Sequence, residues 1–212
     1  LCPNEAGAAL ALTDYDYVLG SLHAARWRQD YYFMDYRRPP QPLPQLVREY
    51  FEACLQLARW DRVDALAHLG YLRRYAARDG VSLDYTPCRE LIDQILRTLI
   101  ETGKALELNT SGFRYGLPEW IPDIGVWRRY RALGGELVTI GSDAHRPRDI
   151  GAAVAPPPKD QSQNTCRLLP VARDGLSRAD RIAASSAVCP HHRPVARPTH
   201  QLGDPLLHRD TG

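Results

Sequence analysis

ELVTIGSDAH, residues 136–145, decides how the rest of the chain reads. Glu136–Ile140 is a short, mostly apolar run bounded by glycines, as in a parallel strand buried on both faces. Directly after it come Gly-Ser-Asp143-Ala-His145, a carboxylate and an imidazole two positions apart. In parallel β/α folds the chemistry sits at the carboxyl ends of the strands, which is where this pair falls.

Three further segments repeat the layout. Asp16–Gly20 (DYVLG) leads into Ser-Leu-His23, and Asp64–Ala67 (DALA) into His68. Ala105–Asn109 (ALELN) carries Glu107 and Asn109 ahead of Thr-Ser-Gly. Between the strands lie amphipathic patterns. Leu43, Leu46, Val47, Tyr50, Phe51, Cys54, Leu57 and Ala58 keep helical spacing, and so do Leu91, Ile92, Ile95, Leu96, Leu99 and Ile100. The second of these helices is predicted to open with Thr86 as N-cap and Pro87 behind it, and to stop at Gly103. A third is predicted from near Pro122 to Gly134, with Val126, Trp127, Tyr130 and Leu133 facing inward. Alternating strands and helices mean an α/β fold with a parallel sheet and right-handed crossovers. A closed (β/α) barrel needs about 250 residues, so these units make part of a barrel or a small open sheet.

The composition is uneven along the 212 residues. Every aromatic side chain lies in residues 1–130, and the last glutamate is Glu136. Residues 152–212 hold scattered Pro, Arg and His after a breaker-rich AVAPPPKDQSQNT, too little apolar surface to offset chain entropy. The expected division is an ordered domain over 1–151 and a disordered Pro/Arg-rich tail over 152–212. The net charge of +2 gives no polyanion footprint. The five cysteines have irregular spacing and suggest no disulfide framework, which fits a reduced, intracellular protein. No 18-residue apolar run exists, and the N-terminus does not read as a signal peptide, so no membrane association is expected. There is no P-loop, dinucleotide fingerprint or Ser nucleophile elbow.

Four strand ends thus bring His23, His68, Glu107 with Asn109, and Asp143 with His145 toward one rim. Imidazole together with carboxylate is ligand chemistry for zinc, manganese or iron. Any one of these histidines alone reads equally well as a hydrogen-bonded rim residue; their shared placement favours a metal site. Glu107, a charge inside a buried strand, needs a partner. The fork of Arg114 suits a phosphate, though a solvated loop arginine is as good a reading. Arg73, Arg74 and Tyr75 read as helix surface and packing. Cys189, His191 and His192 fit no structural zinc spacing.

DYDYVLGSLH, DALAHLGYLRRY, LELNTSGFRYG and GGELVTIGSDAHRPRDIGA together resemble the PHP superfamily in its histidinol-phosphatase branch, over about residues 14–153. The resemblance implies a distorted (β/α)7 barrel with a trinuclear site of divalent zinc, manganese or iron at the strand ends. It implies a cytoplasmic hydrolase of histidine biosynthesis that converts L-histidinol phosphate and water to L-histidinol and phosphate. By motif, His23 and His68 match two histidines that share one metal, Asp143 a ligand of a second, and His145 a ligand of a third. Asp143 and His145 are thereby also the expected catalytic residues, and Arg114 resembles a position near the substrate phosphate. The implied partner is a small phosphorylated substrate, with neither nucleic acid nor membrane involved; the ordered part, at 19 Lys and Arg against 20 Asp and Glu, lacks the basic groove of a polymer binder. Such metals lower the pKa of a bridging water and neutralise charge on phosphoryl oxygens.

The resemblance has gaps at both ends. The family opens with H-x-[DH]-x-H, a further His and a bridging Glu, none of which precedes DYVLGS here, and Glu5 matches no motif. After DIGA the family-like sequence stops. The expectation is an N-terminally truncated phosphatase domain with a frameshifted or misassembled end, binding metal weakly and turning over little by itself. The competing expectations are a PHP-type enzyme for another phosphoester and a non-catalytic remnant.

Overall fold

A computed structural model describes residues 3–12, 15–24, 29–154 and 167–168. Its elements run α1 (Pro3–Leu10), β1 (Leu19–Gly20), α2 (Leu43–Arg59), β2 (Ala65–Leu66), α3 (Leu72–Arg78), α4 (Arg89–Glu101), β3 (Ala105–Asn109), α5 (Ser111–Arg114), α6 (Ile124–Ala132), β4 (Leu137–Gly141) and β5 (Arg167–Leu168). The five strands form one sheet in sequence order, and every neighbouring pair is parallel. The expected α/β class and the four expected strands are therefore present. The fifth strand falls in the stretch expected to be disordered. The rest of that stretch beyond Val154, including Cys189, His191 and His192, lies outside the described residues.

The core forms where the helices cover the sheet. Leu46, Val47, Tyr50, Phe51, Cys54 and Leu57 of α2 and Ile92, Ile95, Leu96 and Leu99 of α4 join Leu66, Leu106, Leu108 and Val138 of the strands in one buried cluster. Each such large apolar side chain contributes about 1.5–3 kcal/mol when removed from water. At the end of α2, Lys104 lies buried and its Nζ donates to the carbonyls of Ala58 and Trp60, each at 2.6 Å, satisfying groups the helix leaves open.

Two helix ends differ from expectation. Thr86 does not cap α4: it opens a 3-10 turn, Thr86–Cys88, and its own N–H is accepted by Asp84 Oδ1 at 2.8 Å. An aspartate two residues upstream makes the same local turn and wins the position. The third helix begins at Ile124, because Asp123 Oδ1 accepts from the Gly125 and Val126 N–H groups. Gly103 and Gly134 end their helices at positive φ, as their lack of Cβ allows.

The register of β3 on β4 positions the site. Glu107 pairs with Thr139 and Asn109 with Gly141, so all four face the same side. A Cβ at Gly141 would stand 2.3 Å from Glu107 Oε1, so only glycine admits that carboxylate. Among the described residues, no helix is long and apolar enough to cross a membrane.

Candidate active site

His68 follows β2 and Asp143 follows β4, and both adopt left-handed backbone conformations, φ 60° and 50°. Non-glycine residues in that region carry strain that the surrounding structure must hold, a feature concentrated at functional sites. His68 is held by β3. Its main-chain N–H donates to Glu107 Oε2 at 3.1 Å, and its Nδ1 lies 3.1 Å from Asn109 Nδ2 and 3.3 Å from Glu107 Oε2. Glu107 is only 2% exposed, so the partner its burial demanded is present.

His23 stands beside His68 with ring centroids 5.2 Å apart. Tyr71 packs against both: it stacks on His68 at 5.2 Å and 18° and lies 4.9 Å from the His23 ring. Burial and the neighbouring His68 hold the His23 imidazole below its ordinary pKa.

Asp143 collects the second group. Arg74 Nη1 donates to its Oδ2 at 2.6 Å, Arg114 Nη2 to its main-chain oxygen at 2.8 Å, and His145 Nδ1 lies 3.0 Å from that same oxygen. Burial works against the Asp143 charge, but the Arg74 hydrogen bond, the Arg74 charge and the nearby His68 and His145 together outweigh it and hold the carboxyl below its usual range. His145 stays largely outside, its side chain 74% exposed.

Sequence reasoning placed Arg74 on a helix surface, and there the structure corrects it. Arg74 is 3% exposed, its Nη1 also donates to Ser111 Oγ at 2.7 Å, and its guanidinium lies 4.4–4.8 Å from the rings of Tyr71, Tyr75 and Tyr115. Its neighbour Arg73 is half-exposed and paired with Glu119 and Asp123. Ring faces of this kind favour a cation held against them.

The structure therefore brings His23 to His68, and Arg114 and His145 to Asp143, with Arg74, Tyr71 and Tyr75 between the two groups. Donor chemistry for a divalent cation is present. Yet among the described residues no three His, Cys, Asp or Glu side chains gather closely enough to hold one. The carboxylate of Asp143 is engaged by Arg74 instead. These residues do not by themselves assemble a metal centre.

The PHP domain family matches residues 5–111. The probable histidinol-phosphatase of Thermotoga maritima is 40% identical over 149 residues, which cover 70% of this chain and 56% of that protein. The probable histidinol-phosphatase of Clostridium acetobutylicum is 33% identical over 140 residues, 65% of this chain and 53% of that protein. A crystal structure of histidinol phosphate phosphatase from Lactococcus lactis, complexed with zinc, L-histidinol and phosphate, aligns with a TM-score of 0.49 at 22% identity, covering 67% of this chain and 54% of the other. The chain spans about half the length of the curated relatives it matches.

Proposed function

This chain belongs to the PHP domain family, and from that premise we propose that it is the strand-end portion of a metal-dependent phosphomonoester hydrolase acting on L-histidinol phosphate. What carries the reading is the convergence on one rim of His23, His68 and Asp143, each delivered by the end of a parallel strand, in a chain that over 149 residues is 40% identical to a probable histidinol-phosphatase. On the same reading the sheet is part of the family's (β/α)7 barrel, and the protein works in the cytoplasm on a small phosphorylated metabolite rather than on nucleic acid or membrane.

A divalent cation, zinc, manganese or iron and three of them in the intact family, would supply Lewis-acid stabilisation and a water ionised near neutral pH. His23, His68, Asp143 and His145 would be its ligands from this chain. The chain's own contribution to the phosphoryl group is cationic. Arg74 and Arg114 reach Asp143 from two different elements, so an anion entering beside that residue meets two guanidinium groups. A planar fork orients phosphate oxygens, which favours in-line attack by fixing the geometry before reaction. Tyr71, Tyr75 and Tyr115 wall the arginine and limit water around it.

The test is a substrate panel with zinc or manganese: L-histidinol phosphate, other phosphomonoesters and 3′-phosphorylated DNA. Phosphate release fastest from L-histidinol phosphate is expected. Equal release from all monoesters would contradict the substrate, and preference for DNA would contradict the class.

A further inference from the structure

A continuous chain of polar contacts joins the Asp143 group to His23. Arg74 Nη2 donates to Tyr75 Oη, Tyr75 Oη donates to Tyr71 Oη at 2.9 Å, and Tyr71 Oη lies 3.4 Å from His23 Nδ1. The direction of this chain follows from its first member. A guanidinium only donates, so Tyr75 must accept from Arg74 and spend its own hydrogen elsewhere. Its partner among the described residues is Tyr71 Oη, and the Tyr71 hydrogen is then left for His23 Nδ1. Both phenols hold their hydrogens firmly. Burial raises their pKa above the ordinary value, and for Tyr71 the neighbouring Tyr75 adds to it. Reversed, Tyr75 would receive two donors, and its buried hydrogen would lose its acceptor. Asp30 Oδ2 also lies near His23 Nδ1, but at 3.7 Å it is beyond hydrogen-bond reach.

We propose that Tyr71 and Tyr75 are positioning residues: a one-way hydroxyl relay, headed by Arg74, that fixes neutral His23 with its proton on Nε2 and its lone pair on Nδ1. The relay ties the two halves of the site together. While Arg74 sits on Asp143 and Tyr75, His23 presents an N–H from its outer nitrogen. When Arg74 withdraws from Tyr75, drawn by an anion or displaced by a cation at Asp143, the Tyr75 oxygen is freed. The relay can then reverse, the His23 proton moves to Nδ1 by exchange with water, and Nε2 offers a lone pair. Readiness of His23 to ligate is thus set by occupancy at Asp143. This rests on the proposed phosphatase only in treating His23 as a ligand; the tautomer itself requires neither metal nor substrate.

The experiment is long-range proton–nitrogen correlation of the histidine rings in the full 212-residue chain, at about pH 8, above the ordinary imidazole pKa. His23 is assigned by its loss in His23→Gln. The wild type is expected to show His23 Nδ1 in the unprotonated range and Nε2 in the protonated range. Tyr75→Phe, Tyr71→Phe and Arg74→Met each break the relay at a different link. In each, the two His23 nitrogens are expected to move toward a common average, while His68, whose Nδ1 is held by Asn109, stays where it was. A wild-type His23 protonated on Nδ1 overturns the proposal, as does a Tyr75→Phe spectrum identical to wild type. If Tyr75→Phe loses its dispersed amide spectrum, Tyr71→Phe and Arg74→Met decide by the same criterion. No metal or phosphoester is in the tube, so this result and the phosphatase reading stand or fall separately.

Discussion

Arg74 and Asp143, 69 residues apart in sequence, form a buried ion pair at 2.6 Å that closes the rim between α3 and the end of β4. Its side chains are 3% and 13% exposed, so either charge left without the other is largely shielded from water. Breaking a buried pair from one side costs about 3–5 kcal/mol. Arg74→Met should therefore lower the urea unfolding free energy by that order, and Arg74→Lys should restore part of it without the fork. A loss under about 1 kcal/mol, the size of a surface pair, contradicts the burial argument.

Stability should fall with acid in two windows. The folded state holds His23 below its ordinary pKa of about 6.5, through burial and then through His68. Below that value the unfolded chain takes up a proton the folded chain resists, so stability declines as pH falls from about 6.5 toward the folded value. Burial opposes the Asp143 charge, but the Arg74 hydrogen bond and charge, with His68 and His145, together depress its carboxyl in the folded state. Its stabilisation is present above about 3.9 and is lost as pH falls through the lower folded value. Chemical denaturation across pH should show the upper decline vanish in His23→Gln and the lower one weaken in Asp143→Asn. An unchanged upper decline in His23→Gln would show that other groups carry it.

Gly141 is predicted to be intolerant of a methyl group. The added Cβ would press on Glu107 Oε1, whose carboxylate accepts the His68 N–H. Gly141→Ala should cost about 1–3 kcal/mol, as overpacking does, and should perturb the His68 ring resonances. The neighbourhood of Gly103 is open, with no atom within 4 Å of an added Cβ, so Gly103→Ala should meet only the backbone strain of φ 64° and leave His68 untouched. Equal effects on His68 from both substitutions would contradict the role assigned to Gly141.

Cys54 is fully buried, and burial pushes its thiol up to about 12. The thiolate is the reactive form, so alkylation at neutral pH should spare Cys54 in the folded chain and reach it in urea. Peptide mapping by mass spectrometry reads this directly. Rapid native labelling of Cys54 would mean that α2 does not pack on the core as described.

The strands and the two long helices were legible because buried parallel strands and amphipathic helices impose local patterns. The same logic brought His23, His68 and Asp143 to strand ends. Arg74 was not legible. Its neighbours in sequence suggest an ordinary helix surface, and its inward orientation depends on Asp143 and Ser111, contributed from beyond β3 and β4. The contact of Tyr71 with His23 was hidden for the same reason, since it forms only once α3 meets the segment after β1. Thr86 failed as a cap because Asp84 competes for the same turn. His145 follows the expected motif yet remains exposed, because its described contacts are all to Asp143.

We propose that this rim hydrolyses a phosphomonoester through Asp143. Phosphate release from L-histidinol phosphate, measured with zinc or manganese in the wild type and in Asp143→Asn, tests it most directly. Slow release by the wild type is expected, falling to the buffer background in Asp143→Asn. Equal release by the two proteins, or none by either, would contradict it.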